Sequence, residues 1–365
     1  MYSPQKRLLL GPGPSNVAPS VLKAMSSPLI GHLDADFIKI MEEIKSMLRL
    51  VFKTENEMTF PISGTGSAGM ETCFVNLVEP GDEVVIGVNG VFGMRMCDVA
   101  ERCGANVKKV EAEWGKIIEP AAIEAALKKS RPKLVAIVHA ETSTGALTPV
   151  EEISRITHEA GALLLLDTVT SLGGCPVSID EWEVDAVYSG TQKCLSCPPG
   201  LSPVSFSPKA MEVIADRKSK VQSWYLDINF LANYWGSERT YHHTAPISMN
   251  YAIHEGLQLV IDEGLENRWK RHQQAYEKLK NGLANLDLKI TSQEGHQIWQ
   301  LNAISVPAGV DEAKIRTQLL NEFGIEIGPG LGPLKGKIWR VGLMGYNATD
   351  TNVEHFLEAL GKCLV

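Results

Sequence analysis

The stretch SGTQKCLSCPPG, residues 189–200, sets one lysine behind a run of small and hydroxyl residues and just ahead of a cysteine pair, Cys194 and Cys197. A lysine partly desolvated in such a loop has a lowered pKa and can work as a nucleophilic amine, whereas a solvated one is only a surface charge. Asp167 ends the most apolar run of the chain, ALLLLD. Its carboxylate is costly to bury without a cationic or hydrogen-bonding partner, although a strand-end aspartate also caps turns. Arg340 stands inside IWRVG, where a guanidinium calls for a carboxylate or phosphate, or else keeps a buried stem and a wet head.

Residues 64–69 read GTGSAG, a literal match to the glycine pattern of dinucleotide-binding folds. That chemistry also needs an acid at the end of the following strand, which ends instead in GVNG, with Asp82 and Glu83 at its start. What remains is a turn of small residues before a helix N-terminus. Thr65, Gly66 and Ser67 there suit one phosphate, and equally suit a tight turn with hydroxyl capping. Cys194 and Cys197 have a zinc-like spacing, but no second pair and no histidine pair follows at the usual interval. His242 and His243 are adjacent and need not share a face, so a hydrogen-bonded structural role suits them better than a metal. No metal site is expected.

These residues need a scaffold that brings distant loops together. From residue 58 onward, short aliphatic runs (MTFPIS, DEVVIGV, NVKKVEA, KLVAIVHA, ALLLLDTV, DAVYS, SPVSFS) alternate with segments of helical spacing. The pattern predicts an α/β fold with a mostly parallel sheet flanked by helices. Ligands of such sheets sit beyond the carboxyl ends of the strands. SGTGS, GVNG, HAETSTG, DTVTS and SGTQK all follow strands and converge on that edge. After about residue 260 the order changes, predicting a smaller C-terminal α+β domain. The divisions expected are an N-terminal arm at 1–20, a large domain at 21–262 and a small domain at 263–365. Thr351 and Glu354 have capping-box spacing before the last helix.

Composition narrows the class. The 365 residues, 44% apolar and 21% charged, suit a globular chain with a large core, and the longest apolar run is too short to cross a bilayer. A net charge of −8 with no basic block argues against nucleic acid. Seven irregularly spaced cysteines suggest free thiols in a reducing compartment, hence a cytoplasmic protein. The N-terminal MYSPQKRLLL breaks at GPGPS before any signal-peptide core forms, and reads as an arm.

A phosphate cradle, a buried aspartate and a loop lysine together describe a pyridoxal phosphate site: the phosphate is held, a carboxylate meets the ring nitrogen, and a lysine forms the covalent link. The chain closely resembles the alanine-glyoxylate and serine-pyruvate aminotransferases, in the class V, fold-type I group of pyridoxal 5'-phosphate enzymes. The motifs that carry the resemblance are LLLGPGPSN at 8–16, SGTGS at 63–67, LVEPGD at 77–82, HAETSTG at 139–145, LLLLDTVTSLGG at 163–174, YSGTQK at 188–193, YHHT at 241–244 and RVGLMGYNAT at 340–349. The resemblance implies a ping-pong Schiff-base mechanism on Lys193, with Asp167 on the pyridine nitrogen. It puts Gln192, Thr65, Gly66 and Ser67 around the phosphate, Phe92 stacked on the ring, and Thr142 near the ring hydroxyl. It assigns Arg340, with Gly13 and Asn16, to the substrate, and sends Tyr241 and Thr244 to the neighbouring subunit's phosphate in a homodimer with shared active sites. The activity implied is transfer of an amino group from alanine or serine to glyoxylate, acting on small amino and keto acids.

Animal members of the family carry His, Trp and Ser where this chain has Ser67, Phe92 and Thr142. A hydroxyl still contacts phosphate or ring, and Phe92 still stacks. Within the same group, a serine-pyruvate or aminophosphonate transaminase is an alternative. A desulfurase needs a cysteine on a mobile loop, which neither Cys194 nor Cys197 supplies. A non-catalytic transaminase-like subunit would be expected to lose Lys193, Asp167 or Arg340, and all three are present.

Overall fold

The computed structural model describes residues 4–364; the first residues of the expected arm, up to position 3, and Val365 lie outside the described residues. The strands read from the sequence form one seven-stranded sheet, in the order Met58–Ser63, Leu201–Phe206, Ala186–Tyr188, Leu163–Asp167, Leu134–Val138, Glu83–Val88 and Asn106–Glu111. Neighbours run parallel except Leu201–Phe206, which is antiparallel to the strand on either side. Val138 lies opposite Asp167 and Asp167 opposite Tyr188, so three strand ends finish level.

Side chains alternate across a strand, so a strand buried on both faces reads as a continuous apolar run. Leu163 and Leu165 pack with Phe74, Val84 and Ile86 on one face, and Leu164 and Leu166 with Val85, Ile137 and Ile253 on the other. Each such leucine contributes about 1.5–3 kcal/mol of burial. The same period turns Asp167 toward the face that helix Gly66–Leu77 covers. There Gly69 lets the helix approach so closely that a Cβ would lie 2.0 Å from Ser202 Oγ and 3.0 Å from Tyr188 Cβ.

The division drawn between residues 262 and 263 falls in the last turn of helix Ile247–Glu263, and the chain turns at Gly264, φ +80°, into helix Leu265–Ala284. Beyond it, strands Leu301–Ser305, Ile338–Gly342 and Gly328–Pro329 form an antiparallel sheet in that order. A separate core of Leu279, Leu319, Trp339 and Phe356 fills it. Leu10 joins this core, and Leu8–Leu9 pair in parallel with Ile325–Glu326, so the arm is bound to the C-terminal part.

The last helix, Asp350–Leu364, is capped by Thr349, whose Oγ1 accepts from Asn352 N at 3.3 Å. The expected cap, Thr351, lies inside the first turn, and Glu354 pairs with Lys278 at 2.5 Å instead of reaching back. The capping-box spacing favours Thr351 because Glu354 follows it, whereas the cap that forms uses the Thr349 hydroxyl alone, with Asn352 and no reciprocal Glu or Gln at the third position. No helix among the described residues is long and apolar enough to cross a membrane.

Candidate active site

Lys193 is 7% exposed, and its amine donates to the carbonyl of Pro12 in the arm. Burial pushes its pKa down to about 8, with Arg340 adding to the fall and Asp167 and Glu141 opposing it. Such an amine sheds its proton near neutral pH and can act as a nucleophile or proton carrier. Ser15 fixes the loop from the arm side: its N donates to Gln192 O at 2.9 Å and its Oγ to Lys193 O at 2.9 Å. Gly13 lies directly against the lysine, where a Cβ would meet Lys193 Cδ, Cε and Nζ at 2.7–2.8 Å.

Asp167 is buried at its strand end, Oδ2 accepting from Tyr188 OH at 2.7 Å and Oδ1 from Val169 N at 2.8 Å. Burial lifts its carboxyl to about 6, while these two bonds pull it down. A cationic N–H brought to this carboxylate would relieve the desolvation cost.

Thr65 precedes helix Gly66–Leu77 in extended conformation and makes no side-chain cap bond. The hydroxyl-capped turn is therefore absent. Thr65 and Ser67 are exposed, and Gly66 packs toward Ser189 O and Gly190 of the lysine loop, at 3.5 and 3.7 Å from a Cβ. Gln192 brings a buried Oε1 with no partner beside Gly190. Free hydroxyls and a helix N-terminus suit one phosphate, and Gln192 can serve it only through its Nε2 donor, since Oε1 accepts.

Arg340 is 6% exposed; Nε donates to Pro329 O at 2.7 Å and Nη1 to Thr142 O at 3.2 Å. Among the described residues it makes no ion pair, and burial pushes it down to about 10, with the charge of Glu141 opposing. Half of its planar fork is left for an incoming carboxylate. Thr142, whose backbone holds this arginine, is itself buried.

Sequence reading passed over Glu141, which is fully buried next to Thr142. Its Oε2 accepts from Phe92 N at 3.1 Å and Gly93 N at 3.4 Å, and its Oε1 from Ser143 N at 3.0 Å and Ser143 Oγ at 2.6 Å. Burial raises its pKa, and these donors lower it. Phe92 is half-buried at the start of helix Val91–Arg102, with the Arg95 guanidinium 5.0 Å from its ring centroid. A helix beginning at Gly90 with no capping side chain was the available signal that an acceptor must come from elsewhere.

Lys193, Asp167, Gln192, Gly66, Thr142, Arg340 and Gly13 thus gather at the carboxyl edge of the sheet. Asn16 is engaged otherwise: its Nδ2 donates to Arg7 O, and its Oδ1 accepts from Leu9 N and Asn347 Nδ2, at 2.9, 2.8 and 2.9 Å. It ties the arm together. Tyr241 and Thr244 face solvent, their hydroxyls 3.5 Å apart, on a loop that His243 fastens to Ser63 through a 2.8 Å bond. His242 and His243 contact each other through Nδ1 atoms at 2.9 Å. Cys194 and Cys197 are buried, their thiols on the carbonyls of Thr170 and Ala252.

Residues 8–356 match the family model Aminotransferase class-V. The chain is 42% identical to an alanine–glyoxylate aminotransferase of Rattus norvegicus, over 98% of its own length and 88% of the other's. It is 40% identical to an (S)-ureidoglycine–glyoxylate transaminase of Bacillus subtilis, over 98% and 91%. A solved alanine–glyoxylate aminotransferase from Nostoc sp. superposes with a TM-score of 0.99 at 49% identity, covering 100% of this chain and 97% of the other.

Proposed function

The chain belongs to the class V aminotransferases and is a pyridoxal phosphate-dependent transaminase of fold type I, and from that premise we propose that it moves an amino group from alanine or serine to glyoxylate. The products are glycine and pyruvate or hydroxypyruvate. The observation that carries this reading is Arg340, a buried guanidinium with no ion pair among the described residues, set at the same edge as Lys193 and Asp167. A planar fork with one free side takes one carboxylate, which selects small monocarboxylic keto acids. Glyoxylate is the acceptor named for both the rat and the Bacillus relative, so the acceptor is the better supported half of the reaction.

Pyridoxal phosphate supplies an aldehyde carbon and an electron-withdrawing ring. Thr65, Gly66, Ser67 and Gln192 would hold its phosphate, and Asp167, oriented by Tyr188, its ring nitrogen. Phe92 would stack on the ring and Thr142 lie by its hydroxyl. Lys193 Nζ would anchor the cofactor through its aldehyde carbon and, as a free amine, would take the proton from the donor's α-carbon in one half-reaction and supply one to the acceptor's α-carbon in the other. A pKa near 8 suits both directions. Arg340 binds the substrate carboxylate, and Gly13 leaves room for the lysine to swing.

Exposed Trp224, Tyr225 and Phe230 form an aromatic patch around His242, on the loop that carries the exposed Tyr241 and Thr244. That patch supports a homodimer in which Tyr241 and Thr244 serve the neighbouring subunit's phosphate. All seven cysteines are free and buried, which supports a reducing, cytoplasmic setting.

Arg340→Lys keeps the charge and loses the fork. Glyoxylate binding is expected to weaken by about 1.5–3 kcal/mol with cofactor affinity unchanged. Titrations of both ligands test this: untouched glyoxylate binding, or a fall in cofactor affinity instead, removes Arg340 from the substrate role.

A further inference from the structure

Helix Val91–Arg102 starts without a cap of its own. Gly90 offers no side chain, and the N–H groups of the first helical turn need acceptors. They find them on another loop: Val91 N donates to Ser143 Oγ at 3.0 Å, and Phe92 N and Gly93 N donate to Glu141 Oε2. The other carboxylate oxygen grips Ser143 twice. A Cβ at position 90 would lie 2.4 Å from Glu141 Cγ and Cδ and 2.3 Å from Ser143 Oγ. The space of a local cap is therefore occupied by the distant one.

We propose that Glu141 is a positioning residue: its buried carboxylate caps helix Val91–Arg102 across the loops and thereby fixes Phe92 against the cofactor ring. The proposal rests on the reading above in which Phe92 stacks on that ring. The chemistry calls for a carboxylate specifically. All four hydrogen bonds of the Glu141 carboxylate are accepted from N–H or O–H donors, and it faces the positive end of a helix. A glutamine in its place would turn an NH2 toward one set of donors and leave them without an acceptor. Among the described residues Glu141 has no ion pair, so its charge is held by these donors, with Arg340 acting on it only through space.

The test is a double-mutant cycle on the full-length protein, stripped of cofactor and titrated with pyridoxal phosphate. Cofactor affinity and the circular dichroism of the bound cofactor's visible band are read, with Tm as a control. Phe92→Ala is expected to weaken cofactor binding about three- to tenfold, as loss of one aromatic stack does, and to flatten the dichroic band. Glu141→Gln is expected to give a similar loss, and the double variant no further loss, because both changes remove the same contact. Ser143→Ala, which takes away the acceptor of Val91 N, carries the same cycle should Glu141→Gln fail to fold. A Glu141→Gln or Ser143→Ala protein with lowered Tm but wild-type affinity and dichroism overturns the proposal, and so do losses that add in the double variant. If Phe92→Ala alone leaves cofactor binding unchanged, the stacking reading fails and takes this proposal with it. Glyoxylate turnover enters none of these readouts, so a wrong acceptor would not be mistaken for a wrong Glu141.

Discussion

Lys193, Asp167 and Arg340 are 7%, 3% and 6% exposed, and charges buried to that degree cost stability unless something retains them. That cost is why they were legible: each stands in an apolar or small-residue context where a charged type is anomalous. Glu141 and Tyr188 were not legible, because their meaning lies in partners from other loops, the N–H groups of Phe92 and Gly93 and the carboxylate of Asp167. Asn16 carries a motif position yet spends its amide on Arg7, Leu9 and Asn347, which the motif does not reveal. The lysine gives a test in the cofactor-free protein. Its pKa is about 8 when folded against an ordinary 10.5. Below pH 8 both states hold the proton and the fold bears a buried cation. Between those values only the unfolded chain holds it, so stability rises with pH across the window. Lys193→Met is therefore expected to be more stable than the parent at pH 7 by up to about 3 kcal/mol, the gap closing toward pH 10.5. Urea denaturation of both proteins measures it. A gap that stays constant from pH 7 to 10.5 means the amine is not desolvated.

The strands were legible as elements because their aliphatic runs are buried on both faces, and their places in the chain match the runs. Their order was not. Nothing local in SPVSFS tells that Leu201–Phe206 inserts antiparallel between Met58–Ser63 and Ala186–Tyr188. The GTGSAG pattern shows how a motif can be right in form and different in use. Its last glycine, Gly69, serves close helix–strand packing against Ser202 and Tyr188, a need shared with dinucleotide folds but not tied to dinucleotides. In an open helix, Gly→Ala would stabilise by about 1 kcal/mol. Here Gly69→Ala is expected to destabilise by about 1–3 kcal/mol, the range for overpacking, and to displace the tyrosine that orients Asp167. A variant more stable than the parent in chemical denaturation would show that the packing is looser than described.

At the scale of the molecule, the arm connects the two ends of the chain's chemistry. Leu10 sits in the C-terminal core while Pro12, Gly13 and Ser15 bear on Lys193 and its loop. The arm's attachment to the C-terminal part was not legible, since its pairing with Ile325–Glu326 spans most of the sequence. The resemblance, carried by motifs in order along nearly the whole chain, gave the family and the cofactor. It left the choice among amino donors open, because Arg340 and Lys193 meet a carboxylate and an amine that all such donors share. The measurement that bears most directly on the proposed reaction is an end-product assay of the purified protein with glyoxylate and, separately, alanine, serine and (S)-ureidoglycine. Glycine is expected in equal amount with pyruvate from alanine or with hydroxypyruvate from serine. Glycine formed only with ureidoglycine, or with none of the three donors, would contradict the proposed reaction.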